Sequence, residues 1–73
     1  RTRVRLPDVG YDCTEVVVRK ALEPYGTVHH MIREKEKDYG LYTMAVIVFM
    51  TIKKKLPNMV NIGGRTNEMQ YRG

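Results

Sequence analysis

Leu41-Tyr42-Thr43-Met44-Ala45-Val46-Ile47-Val48-Phe49-Met50 carries no charge, no glycine and no proline, and it is rich in β-branched and aromatic residues. It is too short to cross a bilayer as a helix, and it reads as a buried central strand that the rest of the chain must cover. Side chains alternate across a strand, so Thr43, Ala45, Ile47 and Phe49 share one face, while Tyr42, Met44, Val46, Val48 and Met50 share the other. Both faces are largely apolar. A small domain with one helix shields only one of them, and the question of function becomes what meets the second.

Working outward towards the N-terminus, Lys37-Asp38-Tyr39-Gly40 supplies turn residues of a length suited to an antiparallel hairpin. Its other arm is Thr27-Val28-His29-His30-Met31-Ile32-Arg33, which fades into the charged run Glu34-Lys35-Glu36-Lys37. Before it, Asp12-Cys13-Thr14-Glu15 predicts a helix start, with Asp12 accepting from first-turn N–H groups and Glu15 at the reciprocal capping-box position. The helix is expected from Cys13 to Glu23, closed by Pro24 and Gly26. Its spacing turns Val17, Val18, Ala21, Leu22 and Tyr25 to the sheet and leaves Glu15, Arg19, Lys20 and Glu23 in water. The first residues, Arg1-Thr2-Arg3-Val4-Arg5-Leu6-Pro7, alternate strictly. As a strand they aim Thr2, Val4 and Leu6 at a core and Arg1, Arg3 and Arg5 at the opposite face, until Pro7, Asp8 and Gly10 end it.

Towards the C-terminus, no second amphipathic helix fits between Met50 and Pro57. Met59-Val60-Asn61-Ile62 alternates, Gly63-Gly64 makes a tight turn, and Asn67-Glu68-Met69-Gln70-Tyr71 returns as a further strand. The expected class is therefore α+β: an antiparallel sheet with one main helix, a second helix reduced or absent, and a C-terminal β-hairpin.

The chain's 73 residues make one small domain, and a domain of this size buries only ~60% of its unfolded surface. Its 13 Lys and Arg against 8 Asp and Glu give a formal charge of +5, which favours a polyanionic partner, nucleic acid ahead of an anionic membrane surface. The single cysteine, Cys13, excludes an internal disulfide and an all-cysteine zinc site. It fits a reducing compartment, so an intracellular location, cytoplasmic or nuclear, is expected, with no membrane partner. Residues 1–73 read as one domain cut from a longer protein. There is no Ser-His-Asp grouping and no paired-carboxylate arrangement, and Gly63-Gly64 before Arg65 is too short for a phosphate loop. No enzyme activity, cofactor or small-molecule substrate is expected.

The β-α-β-β order, with a basic first strand and an apolar third, resembles the RNA-recognition motif, a ferredoxin-like domain whose sheet carries two short RNA-binding signatures. Val4-Arg5-Leu6-Pro7-Asp8-Val9 stands where the first-strand signature would be, and Tyr42 to Phe49 where the third-strand signature would be. The resemblance implies a buried set of Val4, Leu6, Ala45, Ile47 and Phe49. It puts Arg5, Met44 and Val46 at the exposed positions where the family stacks aromatic side chains on bases. Leu56-Pro57-Asn58-Met59-Val60-Asn61-Ile62-Gly63-Gly64-Arg65 and Tyr71-Arg72-Gly73 resemble a more particular domain. That domain precedes the zinc knuckles in the first open-reading-frame proteins of non-LTR retrotransposons and in related vertebrate CCHC zinc-finger proteins. The second helix is often reduced in such domains. The knuckle ligands are not in this sequence, so no metal is expected.

The residues expected to bind nucleic acid are Arg3 and Arg5 on the backbone, Met44 and Val46 as apolar support for bases, and Tyr42 as a stacking ring. Lys53, Lys54 and Lys55 would extend the electrostatic track, with Arg65 as a further phosphate contact. The structural alternatives are a charged strand that merely prevents aggregation, a solvated lysine loop, and an apolar face covered by the terminal hairpin. His29 and His30, as strand neighbours, are expected on opposite faces and so cannot share a metal ion. Cys13 reads as a plain structural or surface thiol. The function expected from these residues is RNA or single-strand binding with low sequence specificity. The alternative is a protein-interaction or self-association domain that uses the apolar sheet face, with a protein partner or a homodimer.

Overall fold

A computed structural model describes residues 1–71. The elements are β1 (Thr2–Leu6), α1 (Glu15–Leu22), β2 (Gly26–Lys35), β3 (Tyr42–Ile52), β4 (Met59–Ile62), β5 (Arg65–Glu68) and β6 (Gln70–Tyr71), with a 3₁₀ turn at Glu23–Tyr25 between α1 and β2. The four-stranded sheet has the order β2-β3-β1-β6, and β4 and β5 form a separate two-stranded ribbon. The described residues form an α+β unit with one helix and an antiparallel main sheet, as the sequence pattern predicts. Arg72 and Gly73, part of the zinc-knuckle resemblance, lie outside the described residues.

Helix α1 begins later than expected. Thr14 rather than Asp12 is the N-cap, its side chain accepting from the Val17 N–H at 3.4 Å, so Glu15 opens the first turn. Val18 and Leu22 are fully buried against the sheet, with Ala21 and Tyr25 packed beside them. Arg19, expected in water, instead donates to the Val28 carbonyl of β2 at 2.8 Å and pairs with Glu15 one turn back at 3.3 Å. Helix α1 is thereby tied to the outer strand of the sheet.

The terminal hairpin forms with the expected turn, Gly63 and Gly64 both holding the positive φ that a two-residue hairpin turn requires. Its return strand is split, however. Residues 65–68 pair with β4, whereas Gln70 and Tyr71 leave the ribbon and join the edge of β1. Met69, buried between the two, donates its N–H to the Asn58 carbonyl at 2.9 Å. The ribbon packs beside α1: Val60 and Ile62 lie in the same core as Val18 and Leu22, and the Gly63 backbone passes close to Cys13. The ribbon occupies the side where a second helix was expected to be missing, and among the described residues no element covers the opposite side of the sheet, called the front here.

The register between β1 and β3 corrects the face assignment of the central strand. Antiparallel partners share a face, and Val4 stands opposite Val48 while Leu6 stands opposite Val46. Val4, Leu6, Val46, Val48 and Met50 therefore turn together towards α1 and form the core. The expectation that Val46 and Met44 line the open surface is wrong: Val46 is fully buried on the helix side, and Met44 has the same parity at the end of the strand. The resemblance-based buried set holds for Val4 and Leu6 on the helix side and for Ala45 and Ile47, which are buried although they face the front, and it fails for Phe49, which is only half-buried there. The cause is that β3 is apolar on both sides, so only its pairing with β1 orients it.

Candidate nucleic-acid interface

The front is built from the other parity of each strand. Arg3 is paired with Phe49 and Arg5 with Ile47 between β1 and β3, and His30 is paired with Phe49 and Ile32 with Ile47 between β3 and β2. Two rows result, Arg3–Phe49–His30 and Arg5–Ile47–Ile32, each crossing the sheet from β1 to β2.

In the first row the rings of His30 and Phe49 are nearly parallel, with centroids 6.2 Å apart and planes at 21°. This spacing lies within the range of offset aromatic pairs, and the pair offers π surface to a planar group. His29 stands on the same face, contrary to expectation. The ladder slips by one residue between Val28 and His30, and this bulge brings His29 Nε2 within 2.7 Å of the Thr51 hydroxyl, a front-facing group on β3. The opposite-face argument fails because it assumes an unbroken alternation. Even so, no group of three or more His, Cys, Asp or Glu side chains that could hold a metal ion occurs among the described residues.

The second row is capped by charge. Arg5 on β1 and Glu34 on β2 meet across β3, with Nη2 to Oε2 at 2.8 Å and Nε to Oε1 at 3.4 Å. Glu34 also accepts from the Thr43 hydroxyl at 3.3 Å, and Arg5 donates through Nη1 to the Gln70 side-chain oxygen at 3.0 Å. Beneath this bridge Ala45 and Ile47 are only 1% and 7% exposed although they face the front. The hydrogen bond from Arg5 holds the Glu34 carboxyl below its usual range and raises the guanidinium, with partial desolvation opposing both shifts. Because the folded-state pKa of Glu34 is depressed, its stabilising contribution is complete above the unfolded value near ~4.3 and is lost as pH falls through the lower folded value. The urea midpoint of the native chain is thus expected to fall more steeply with acid than that of Glu34→Gln, and parallel curves would remove the linkage.

The remaining predicted residues divide. Arg1 and Arg3 are exposed, and neither is in an ion pair among the described residues. Lys53, Lys54 and Lys55 are exposed at the end of the sheet where β3 stops, held there by N–H bonds from Lys53 and Lys54 to the Tyr25 carbonyl at 2.8 and 3.0 Å. This is the same end as Arg1 and Thr51. Tyr42 lies at the opposite end of β3, outside both rows, with Lys35 Nζ 4.9 Å from its ring centroid and its carbonyl accepting from the Tyr11 hydroxyl. Arg65 stands on the ribbon, 3.6 Å from Asp8, remote from the front. The structure thus brings Arg3 and Arg5 together on one surface, sets the lysines at its border, and excludes Met44, Val46, Tyr42 and Arg65.

Phe49, Glu34 and Gln70 are front residues that sequence reasoning did not select. One signal for them was present: Thr43 and Thr51, the two threonines of β3, share the parity of Phe49 and mark the wetter side of an otherwise apolar strand. No protein-family model, curated protein or solved structure matches this chain.

Proposed function

We propose that this domain is a non-enzymatic module that binds RNA or another single-stranded nucleic acid on the front of its sheet, with little sequence preference. The observation that carries the proposal is the row Arg3–Phe49–His30, in which an exposed guanidinium, an aromatic ring and an imidazole lie side by side on a face that no other element of the described residues covers. A ring accepts any base, and a guanidinium accepts a phosphate or stacks flat on a base, so the row supplies affinity without a hydrogen-bonding code. The strand order β2-β3-β1-β6 with α1 behind it supports reading the fold as ferredoxin-like and similar to the RNA-recognition motif, the β4–β5 ribbon standing in place of a second helix. On this reading the likeness to the domain before retrotransposon and vertebrate CCHC knuckles supports an intracellular, RNA-handling protein as the module's setting.

Fluorescence anisotropy with labelled octauridylate RNA over a salt series tests the proposal. Log affinity is expected to fall with log salt by about 0.7 per phosphate contact. Phe49→Ala is expected to weaken binding by about 1–3 kcal/mol, the worth of one base on an aromatic ring. Salt-independent affinity, or a Phe49→Ala variant that binds as well as the native chain, would count against it. Self-association or protein docking on the same face would have to use Ile32 and Phe49, and light scattering that grows with protein concentration and ignores the RNA would favour that reading instead.

A further inference from the structure

The front is electrically uneven along its strands. At one end, Arg1, Thr2, Arg3, Arg5, Gln70 and Tyr71 line a cleft of about 520 Å³ between β1 and β6. Among the described residues its walls carry guanidinium groups and no carboxylate. At the other end stands Glu34, the one carboxylate at a front-facing strand position among the described residues. Arg5 lies between the two ends and is already engaged, since Nε and Nη2 serve Glu34 and Nη1 serves Gln70. A guanidinium has five N–H donors and a single charge. A phosphate arriving at Arg5 would compete for donors and would sit against the Glu34 carboxylate, whereas one arriving at Arg3, in no ion pair among the described residues, finds its donors free and meets only the longer-range field of Glu34.

We infer that the phosphates of a bound single strand lie in the β1–β6 cleft against Arg1 and Arg3, and that Glu34, by holding Arg5, keeps them off the other half of the face. This inference rests on the nucleic-acid reading and adds a path to it. The backbone runs along the β1–β6 side, a base reaches inward to Phe49 and His30, and the surface over Ala45 and Ile47 stays closed. The Arg5–Glu34 pair is then nearly silent in binding, since its charges cancel where the strand does not go.

The test uses residues 1–73, octauridylate RNA and four variants. Arg3→Gln is expected to weaken binding at low salt at least threefold and to reduce the salt slope by about 0.7, one contact. Glu34→Gln, which keeps an oxygen acceptor for Arg5 and therefore the local packing, is expected to bind at least threefold more tightly with a slope steeper by about 0.7, because Arg5 becomes available. The double variant Arg5→Gln/Glu34→Gln is expected to bind within about twofold of the native chain, the charges of the pair having cancelled. The Nε–Hε NMR signals provide a second readout: on adding RNA that of Arg3 should shift and that of Arg5 should not. A Glu34→Gln variant that binds no tighter, or a double variant that loses as much as Arg3→Gln, overturns the path while leaving the nucleic-acid reading intact. Failure of the native chain to bind, or indifference to Phe49→Ala, overturns both.

Discussion

Gly26→Ala is expected to be the most damaging methyl group that can be added to this chain. A Cβ at Gly26 would stand 2.0 Å from the Thr51 carbonyl oxygen, 3.0 Å from its carbon and 3.1 Å from the Ile52 Cα, all backbone atoms of β3. No rotamer change relieves such a contact. Relief requires the first rungs of the β2–β3 ladder to part, which also strains the bonds from Lys53 and Lys54 to the Tyr25 carbonyl. Overpacking costs about 1–3 kcal/mol where side chains can yield, and a backbone clash belongs at or above the top of that range. Against a total stability of roughly 4–11 kcal/mol for a domain of this length, the loss leaves a large unfolded fraction. Gly40→Ala is the control, because Gly40 has positive φ but open space around it, and its cost is about 1–2 kcal/mol of backbone strain. Urea unfolding of the two variants decides the matter, and equal losses would mean that β2 and β3 are not so close at Gly26.

The second large effect follows from the orientation of β3. Val46 is fully buried between α1 and the sheet, so Val46→Asp puts a carboxyl among Leu6, Val18 and Leu22 with no partner. Desolvating that group costs several kcal/mol whether it stays ionised or takes up a proton, enough to unfold the domain. Phe49→Ala, on the front, is expected to stay folded and to lose RNA binding. Circular dichroism and the dispersion of amide NMR signals separate the outcomes. A folded Val46→Asp variant that has merely lost affinity for RNA would reverse the faces of the strand.

How much of this was legible beforehand depends on whether a stretch carried one pattern or two. Arg1 to Leu6 alternates, so β1 emerged with its faces correct, and the helical spacing found the buried Val18 and Leu22 of α1 but also took Val17 for a core residue and Arg19 for a solvated one. Residues 41–50 are apolar at both parities, and periodicity says that a strand is there but not which way it turns. Only the pairing of Leu6 with Val46 settles that. The expectation that His29 and His30 stand on opposite faces failed because a one-residue bulge is invisible in a run of similar residues. Glu34 was read as the frayed end of a hairpin, whereas β2 continues to Lys35 and carries that carboxylate over the sheet to Arg5. The division of the last strand at Met69 is likewise a product of tertiary packing, since it requires β1 to offer an edge to Gln70 and Tyr71.

The front of the sheet is the proposed binding surface, and an amide NMR titration with octauridylate RNA addresses that surface residue by residue. The predicted result is a continuous set of shifted signals at Arg3, His30, Phe49, Thr51 and Gln70, with α1 and the β4–β5 ribbon unmoved. Shifts centred on α1 and the ribbon, or none at low salt with RNA in excess, would contradict it.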